Sequence, residues 1–512
     1  MIFHRYFLQP QIFLSGDGKP GACLYGLIVG DDDTLPVADI SDAAYCAAGG
    51  AATLVLIHLI TGKCAQLDKR GAFINEVCNT FAWGQLILFL LFFNCLFSSA
   101  QGNFIKPGSE LAQRLAHDIF IFVKIQRVRI HSRQLCVQFN MDALIFGVFL
   151  ARMGTKRKIA WICLIALAVI IKVLSRWPEA VEKYYSTGLY PVLSRIQRFL
   201  FGWIPFSIGD LLYGAVLICA IYNLVIIIRK LIKKQADRVW LLVFFRRIIF
   251  IVLLIYVLFN GLWGLNYDRR GIASQLQLNV QPYTTPELTE LVRQITTRLN
   301  DLDSLARLHR AALTSSRYLY SNAVRAYDSL SSHDPQFIYR PSSVKSSLFS
   351  HIGAYIGFSG YYNPFTGEAQ VNTVVPAFTQ PYTTCHEMGH QLGYAKENEA
   401  NFAGYLSARS SAEAAFRYSA YFELYIYAAS ELYRRDSSLV RSFRQQLHPA
   451  IRSDFRELQA YNRKYANPME SRIWKLYGGY LRANRQPQGI VTYTEVTAWL
   501  IAYAKKNGWE AI

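Results

Sequence analysis

The chain has 512 residues, 52% hydrophobic and 17% charged, with a formal net charge of +19 and a mean hydropathy of +0.15. That balance excludes both a wholly soluble enzyme and a bare membrane bundle, and fits a membrane protein with a soluble half. The positive charge is no argument for a nucleic-acid partner. Much of it lies beside apolar segments, where anionic lipid is the nearer partner, and in the soluble half it is spread without a stripe.

Residues 1–152 do not read like the rest. They hold an apolar run at Phe81 to Phe97, a shorter one at Ala51 to Ile60, and loop-like stretches such as Ser15 to Pro20 and Asp31 to Thr34. Met153 opens a plausible protein, because Met-Gly-Thr-Lys-Arg-Lys followed by an apolar span is a common beginning for a membrane-inserted chain. The expectation is that translation starts at Met153. The alternative is a genuine extension in which residues 81–98 make a further span, with the basic residues Lys106 to Arg133 on the cytoplasmic side.

A membrane domain follows over 153–265, with spans expected at 159–174, 211–228 and 248–265. Lys172, near one end of the first span, can snorkel to the headgroups. Lys156, Arg157 and Lys158 precede the first span. Arg229, Lys230, Lys233, Lys234, Arg238, Arg246 and Arg247 are expected to fill the loop between the second and third against a lone Asp237. The positive-inside rule puts both groups in the cytoplasm, and the lipid bilayer becomes a partner. Residues 266–512 then form a domain outside the cytoplasmic (inner) membrane of a bacterium, in the periplasm or at the exterior. Trp177, Trp203 and Trp263 fit interfacial anchors on that outer side. Cysteine usage agrees: of nine cysteines six precede Met153, two lie in the spans, and the outer domain has only Cys385, so it holds no disulfide framework.

The outer domain is mostly helical. Thr285-Pro286-Glu287 starts a helix whose buried stripe is Leu288, Val292, Ile295 and Leu299. Further helices are expected near 412–434, 451–464, 470–482 and 494–506. Between them, Gly353 to Asn372 reads as a small β element with a turn at Asn363 to Gly367. Its strand, just ahead of the motif below, could serve as an edge for an extended substrate, or could simply pack the core.

The most specific signal is His386-Glu387-Met388-Gly389-His390. On a helix, residues four apart share a face, so two imidazoles can meet one cation while Glu387 lies beside it and takes a proton from water. Pro381, Thr383 and Thr384 supply a start and Gly393 a stop. On a straight helix Glu397 would lie about 10 Å beyond His390. A turn near Gly393 and a second helix are therefore needed to bring Glu397 over the metal as third ligand. Glu399, about 200° around that helix, is the alternative, and Asn401 is placed to hydrogen-bond a ligand imidazole. Cys385 faces about 100° away and reads as a small packed residue.

The run Gly360 to Asn372, then Thr384 to Phe402, together with Ile204 to Asp210, resembles a bacterial membrane family, domain of unknown function 3810, from about 153 to the C-terminus. A wider similarity is to the gluzincins, which pair H-E-x-x-H with a glutamate on a following helix, often as E-x-x-x-D. Glu397 and Asn401 fall on that pattern with Asn in place of Asp. The stretch Glu397 to Ala403 is also similar to short-gap metallopeptidases that cleave regulatory proteins, and favours Glu397 over Glu399. The expectation is thus a mainly α chain: transmembrane helices, then a helical zincin-like (α+β) metallopeptidase domain with a small β element. It would hold Zn2+ on His386, His390 and Glu397 and cleave a peptide or protein substrate with Glu387 as base. Tyr477, Tyr480, Tyr493, His448 and Arg482 are candidates to stabilise the oxyanion. The rival expectations are a zinc hydrolase of a non-peptide or cell-wall amide, and a zinc-stabilised binding or sensor protein without catalysis.

Overall fold

The computed structural model describes residues 155–484, 486 and 495–512. The expected start at Met153, the added span at 81–98 and Tyr493 lie outside the described residues. Helix α1 (Thr155–Leu174) is followed by α2 (Pro178–Gly202) at a bend of 106°. Pro178 sits in the first turn of α2, where its missing N–H has no partner to lose, and Val181–Leu189 within α2 is π-helical. Next come α3 (Ile208–Ile232) and α4 (Arg238–Leu262). Ile208–Ile232 and Val239–Leu262 are long and apolar enough to cross a membrane, whereas α1 qualifies only as one half of the bent pair with α2.

The expected basic loop between the second and third spans is mostly helix. Arg229 and Lys230 occupy the last turn of α3, and Arg246 and Arg247 lie inside α4, so that only residues 233–237 connect the two. Lys and Arg are good helix formers whose long stems lie along apolar surface, so a run of them does not stop a helix. Asp237 does mark a boundary, since its carboxylate accepts from Trp240 N–H at 2.7 Å as a cap of α4. At the other end, α4 stops at Leu262, and Gly264–Asp268 form a 3-10 turn where the span had been expected to continue.

The described residues fall into two compact units. One combines 155–165 with Leu224–Leu253, where Trp161 meets Phe250 edge-on at 5.3 Å. The other combines Ala166–Asn223 with Leu254–Ile512 and contains the remaining elements. These are α5 (Thr285–Leu308), α6 (Ser316–Ser331), β1 (Val344–Ser346), α7 (Ser350–Ile356), β2 (Gly360–Asn363), β3 (Glu368–Val371), α8 (Gln380–Gln391) and α9 (Glu397–Arg409). Then follow α10 (Ala414–Arg435), α11 (Ser437–Gln446), α12 (Pro449–Tyr465), α13 (Glu470–Ala483) and α14 (Val496–Asn507).

The start of α5 is fixed by a capping box: Thr284 Oγ1 accepts from Glu287 N–H while the Glu287 carboxylate accepts from Thr284 N–H at 2.7 Å. Its expected stripe, Leu288, Val292, Ile295 and Leu299, is fully buried, and α5 packs along α10. Aromatic contacts fill the core, with Phe422 of α10 stacked on Phe455 of α12 at 4.3 Å and Phe402 of α9 against Trp499 and Tyr503 of α14.

The sheet has the order β1-β3-β2, with β1 parallel and β2 antiparallel to β3. The expected turn is present: Asn363 Oδ1 accepts from Phe365 and Thr366 N–H, and Gly367 N–H closes onto Asn363 O at 2.9 Å. Residues 353–356, expected as β, belong to α7 instead. The strand nearest in sequence to α8 is the central one; β1 and β2 are the edge strands, and all four residues of β2 are buried.

This sheet also fastens the start of α3. Glu368 of β3 accepts from Ile208 N–H at 3.1 Å and Gly209 N–H at 2.5 Å, an anion at a helix N-terminus. Ser207 Oγ accepts from Asp210 N–H at 3.0 Å as an N-cap. Asp210 in turn accepts from Leu348 N–H at 2.7 Å and from the Tyr361 hydroxyl. The stretch Ile204 to Asp210 is therefore a joint between an apolar helix and the sheet.

Candidate metal centre

Helix α8 begins at Gln380 with Pro381 in its first turn. The hydroxyls of Thr383 and Thr384 donate to the carbonyls of Thr379 and Gln380, four residues back, so they support the helix without capping it. Its end is the expected one. Gly393 has φ +88, Tyr394 N–H bonds to Gly389 O at 3.2 Å and Gly393 N–H to His390 O at 3.0 Å, which is a Schellman closure that reverses the chain. The reversal lets α9 start at Glu397 and return its first turn to α8.

The result brings His386, His390 and Glu397 together. Glu397 Oε2 lies 3.3 Å from His386 Nε2 and 3.7 Å from His390 Nε2. The two imidazoles stand perpendicular with centroids 4.7 Å apart. These separations are close enough for the three side chains to share one metal ion. Glu387 offers a carboxylate oxygen within 4.8 Å of both imidazole ligand atoms. The other oxygen of Glu397, Oε1, accepts from Tyr477 OH at 2.7 Å, which orients Oε2 toward the imidazoles.

Each imidazole is readied for a cation. His390 Nδ1 lies 2.7 Å from Tyr394 O, and as a carbonyl only accepts, Nδ1 carries the proton and the Nε2 lone pair faces inward. Burial pushes the His386 pKa down to about 3, so this imidazole is neutral and able to ligate. Burial also raises the Glu387 carboxyl above its usual range. Gly360 of the edge strand β2 passes directly over it: a Cβ there would stand 2.8 Å from Glu387 Oε1.

The other sequence candidates are placed elsewhere. Glu399 is buried away from the imidazoles, 3.5 Å from Lys396 Nζ and against Gly271. Asn401 is buried, but its side-chain amide makes no hydrogen bond, and neither does His386 Nδ1; the outer contact expected from Asn401 is supplied to His390 by the Tyr394 carbonyl. Cys385 packs in the core, and burial pushes its thiol up to about 12. Tyr480 lies next to Tyr477, rings 5.9 Å apart and nearly parallel, with its hydroxyl 3.2 Å from that of Tyr267. His448 is exposed beside Asp303, in a separate ion-pair cluster.

Sequence reasoning missed the groups that hold the end of α8. Trp263, expected as an interfacial anchor, is only 5% exposed, and its Nε1–H donates to His390 O at 2.9 Å. Tyr190 OH and Ser194 Oγ of α2 donate to Gln391 O at 2.9 and 2.7 Å. Arg269, paired with Glu182 at 2.6 Å, donates to Gly393 O at 3.2 Å. These donors satisfy carbonyls that a helix C-terminus leaves open, and backbone partners leave no trace in side-chain spacing.

Comparison with known proteins gives a family model described as a protein of unknown function (DUF3810), matching residues 185–501. No curated protein and no solved structure matches.

Proposed function

Because the chain belongs to the DUF3810 family of proteins of unknown function, its chemistry has to come from its own residues, and from these we propose a membrane-anchored zinc metallopeptidase of gluzincin type. The observation that carries this reading is the approach of Glu397 Oε2 to both imidazoles, 3.3 Å from His386 Nε2 and 3.7 Å from His390 Nε2, with Glu387 alongside. Two imidazoles and a carboxylate are the donor set of catalytic zinc sites, which keep a further position open. A zinc ion there supplies Lewis acidity, acidifying water and polarising the scissile carbonyl.

The chain's residues do the rest. His390 is held in one tautomer by Tyr394 O, and Glu397 is held by Tyr477. The Glu387 carboxylate takes the proton of the attacking water and passes it to the leaving amine. The edge strand β2 crosses Glu387 at Gly360, with all four of its residues buried, so an extended peptide reaches this edge only if the cover over it moves. With the basic ends of the apolar helices in the cytoplasm, the site faces the outer side of the bacterial inner membrane.

Elemental mass spectrometry of the purified full chain tests the site. The expected result is near-stoichiometric zinc in the wild type and in Glu399→Ala, and loss of zinc in His386→Ala and Glu397→Ala. Glu387→Gln should keep zinc and lose peptide hydrolysis. Hydrolysis that survives Glu387→Gln would remove the base from the mechanism, and a metal-free wild type would remove the enzyme.

A further inference from the structure

Helix α2 is built inside out. The residues it turns toward the protein are largely polar: Ser194, Gln197 and Arg198 are buried together with Tyr190. Gln197 donates to Pro364 O at 2.9 Å, and Arg198 lies over the Tyr339 ring at 4.7 Å. From Leu189 onward the exposed residues are apolar except for Arg195. Val192, Ile196, Phe199 and Trp203 follow one another at helical spacing, with Leu189 before them and Leu200 beside them, all exposed. At about 100° per residue the central four fall within a stripe about 60° wide. Phe199 is 72% and Trp203 79% exposed, values that a surface facing water does not place side by side on a well-packed helix.

What covers this stripe follows from where it leads. Trp203 is five residues ahead of α3, a helix apolar enough to cross a membrane and bare along its whole apolar window. The apolar face of α2 and the apolar surface of α3 are thus continuous along the chain. The bend of 106° between α1 and α2 means that α2 does not continue the direction of α1. A second patch lies at the same level. Leu348, Ile352 and Tyr355 of the α7 region are exposed, Leu348 N–H is bonded by Asp210 in the first turn of α3, and the Phe349 ring reaches 3.8 Å from where a Cβ of Gly214 would stand, in the second turn of α3. Lys345 beneath it binds the Gly202 and Ile204 carbonyls at the end of α2. Lys183 and Arg195, both exposed on α2, are the cations such a surface offers to phosphate headgroups.

We propose that α2 and the α7 patch form a lipid-contact face, with the stripe from Leu189 to Trp203 seated at the boundary between headgroups and acyl chains. The opposite face of α2 holds the carbonyl end of α8 through Tyr190 and Ser194, so the metal centre is carried about one helix diameter, 10–12 Å, from the bilayer surface. The lipid contact stands whether or not the centre is hydrolytic.

The test uses the full chain in vesicles of phosphatidylcholine and phosphatidylglycerol, with all native cysteines except the buried Cys385 replaced by serine. A bimane label is placed at Phe199→Cys, Ile352→Cys or, as control, Leu308→Cys on α5, a site 74% exposed with no link to α3. Thermal melts matching the unlabelled chain identify folded variants. Labels at 199 and 352 are expected to be quenched several-fold more by a lipid carrying a nitroxide near its headgroup than by aqueous iodide, and the label at 308 in the reverse order. Iodide quenching at 199 and 352 equal to that at 308 would overturn the proposal. So would protection from both quenchers, which would mean that a second copy or another protein covers the face.

Discussion

The Tyr477 hydroxyl is the residue on which the third ligand depends, since it is the hydrogen bond that holds Glu397 Oε1 while Oε2 faces the imidazoles. Outer contacts of this kind change metal affinity about 10–100-fold when removed. Tyr477→Phe is therefore expected to weaken zinc binding by that factor in a chelator-competition titration of the full chain, and unchanged affinity would show that the hydroxyl does not set the ligand. The main site residues were legible because His386, Glu387 and His390 share one helix, where spacing alone defines a face. Glu397 was legible only with Gly393, whose position said that the chain must reverse. Tyr477 was one tyrosine among 32, and nothing local distinguished it. Trp263 was misread because a tryptophan after an apolar run has the signature of an interfacial anchor, and its true partner, the His390 carbonyl, is a backbone atom 127 residues away.

At the scale of elements, the closure of α8 is the step that a small change would break. Alanine at Gly393 would be forced to φ +88 and would bring a Cβ to 2.8 Å from the Tyr190 ring. The left-handed conformation alone costs about 1–2 kcal/mol for a residue with a side chain. Gly393→Ala is expected to lower the melting temperature and the zinc content together; a fall in one without the other would separate the turn from the site. Helices with a strong apolar period and a chemical start signal, such as α5 with Thr284 and Glu287, were legible to within a residue or two. The β element was legible as a hairpin with its turn at Asn363 to Gly367, but not in its start or its third strand, because strands of four residues carry too little alternation to distinguish Gly353 to Ile356 from the true strands, and because the pairing of β1 is long-range. The basic residues around α3 and α4 were misplaced for a related reason: charge marks a loop only when the residues also break a helix.

For the whole molecule, elements ahead of Asn266 and elements after it share the site. A chain beginning at Asn266 would lack Tyr190, Ser194 and Trp263, leaving the His390 carbonyl with its backbone donor, Gly393 N–H, and the Gln391 carbonyl without its side-chain donors, each lost hydrogen bond worth about 0.5–1.5 kcal/mol. Such a fragment is expected to melt earlier and hold less zinc than the full chain, and equal zinc in both would mean that the outer helices suffice. If the peptidase reading and the lipid-contact face both hold, an acyl-anchored peptide in vesicles should be cleaved faster than the same peptide free in solution, with the advantage abolished in detergent. The bonds from α2 and Trp263 to the end of α8 also impose an order of events. The ligands are translated after the apolar helices, and the frame that steadies them comes from the end of α4 and from the helix ahead of α3. On the peptidase reading, a chain translated as far as Glu397 already carries the donors that steady the end of α8, so the turn at Gly393 and the return of α9 are the last steps that assemble the site.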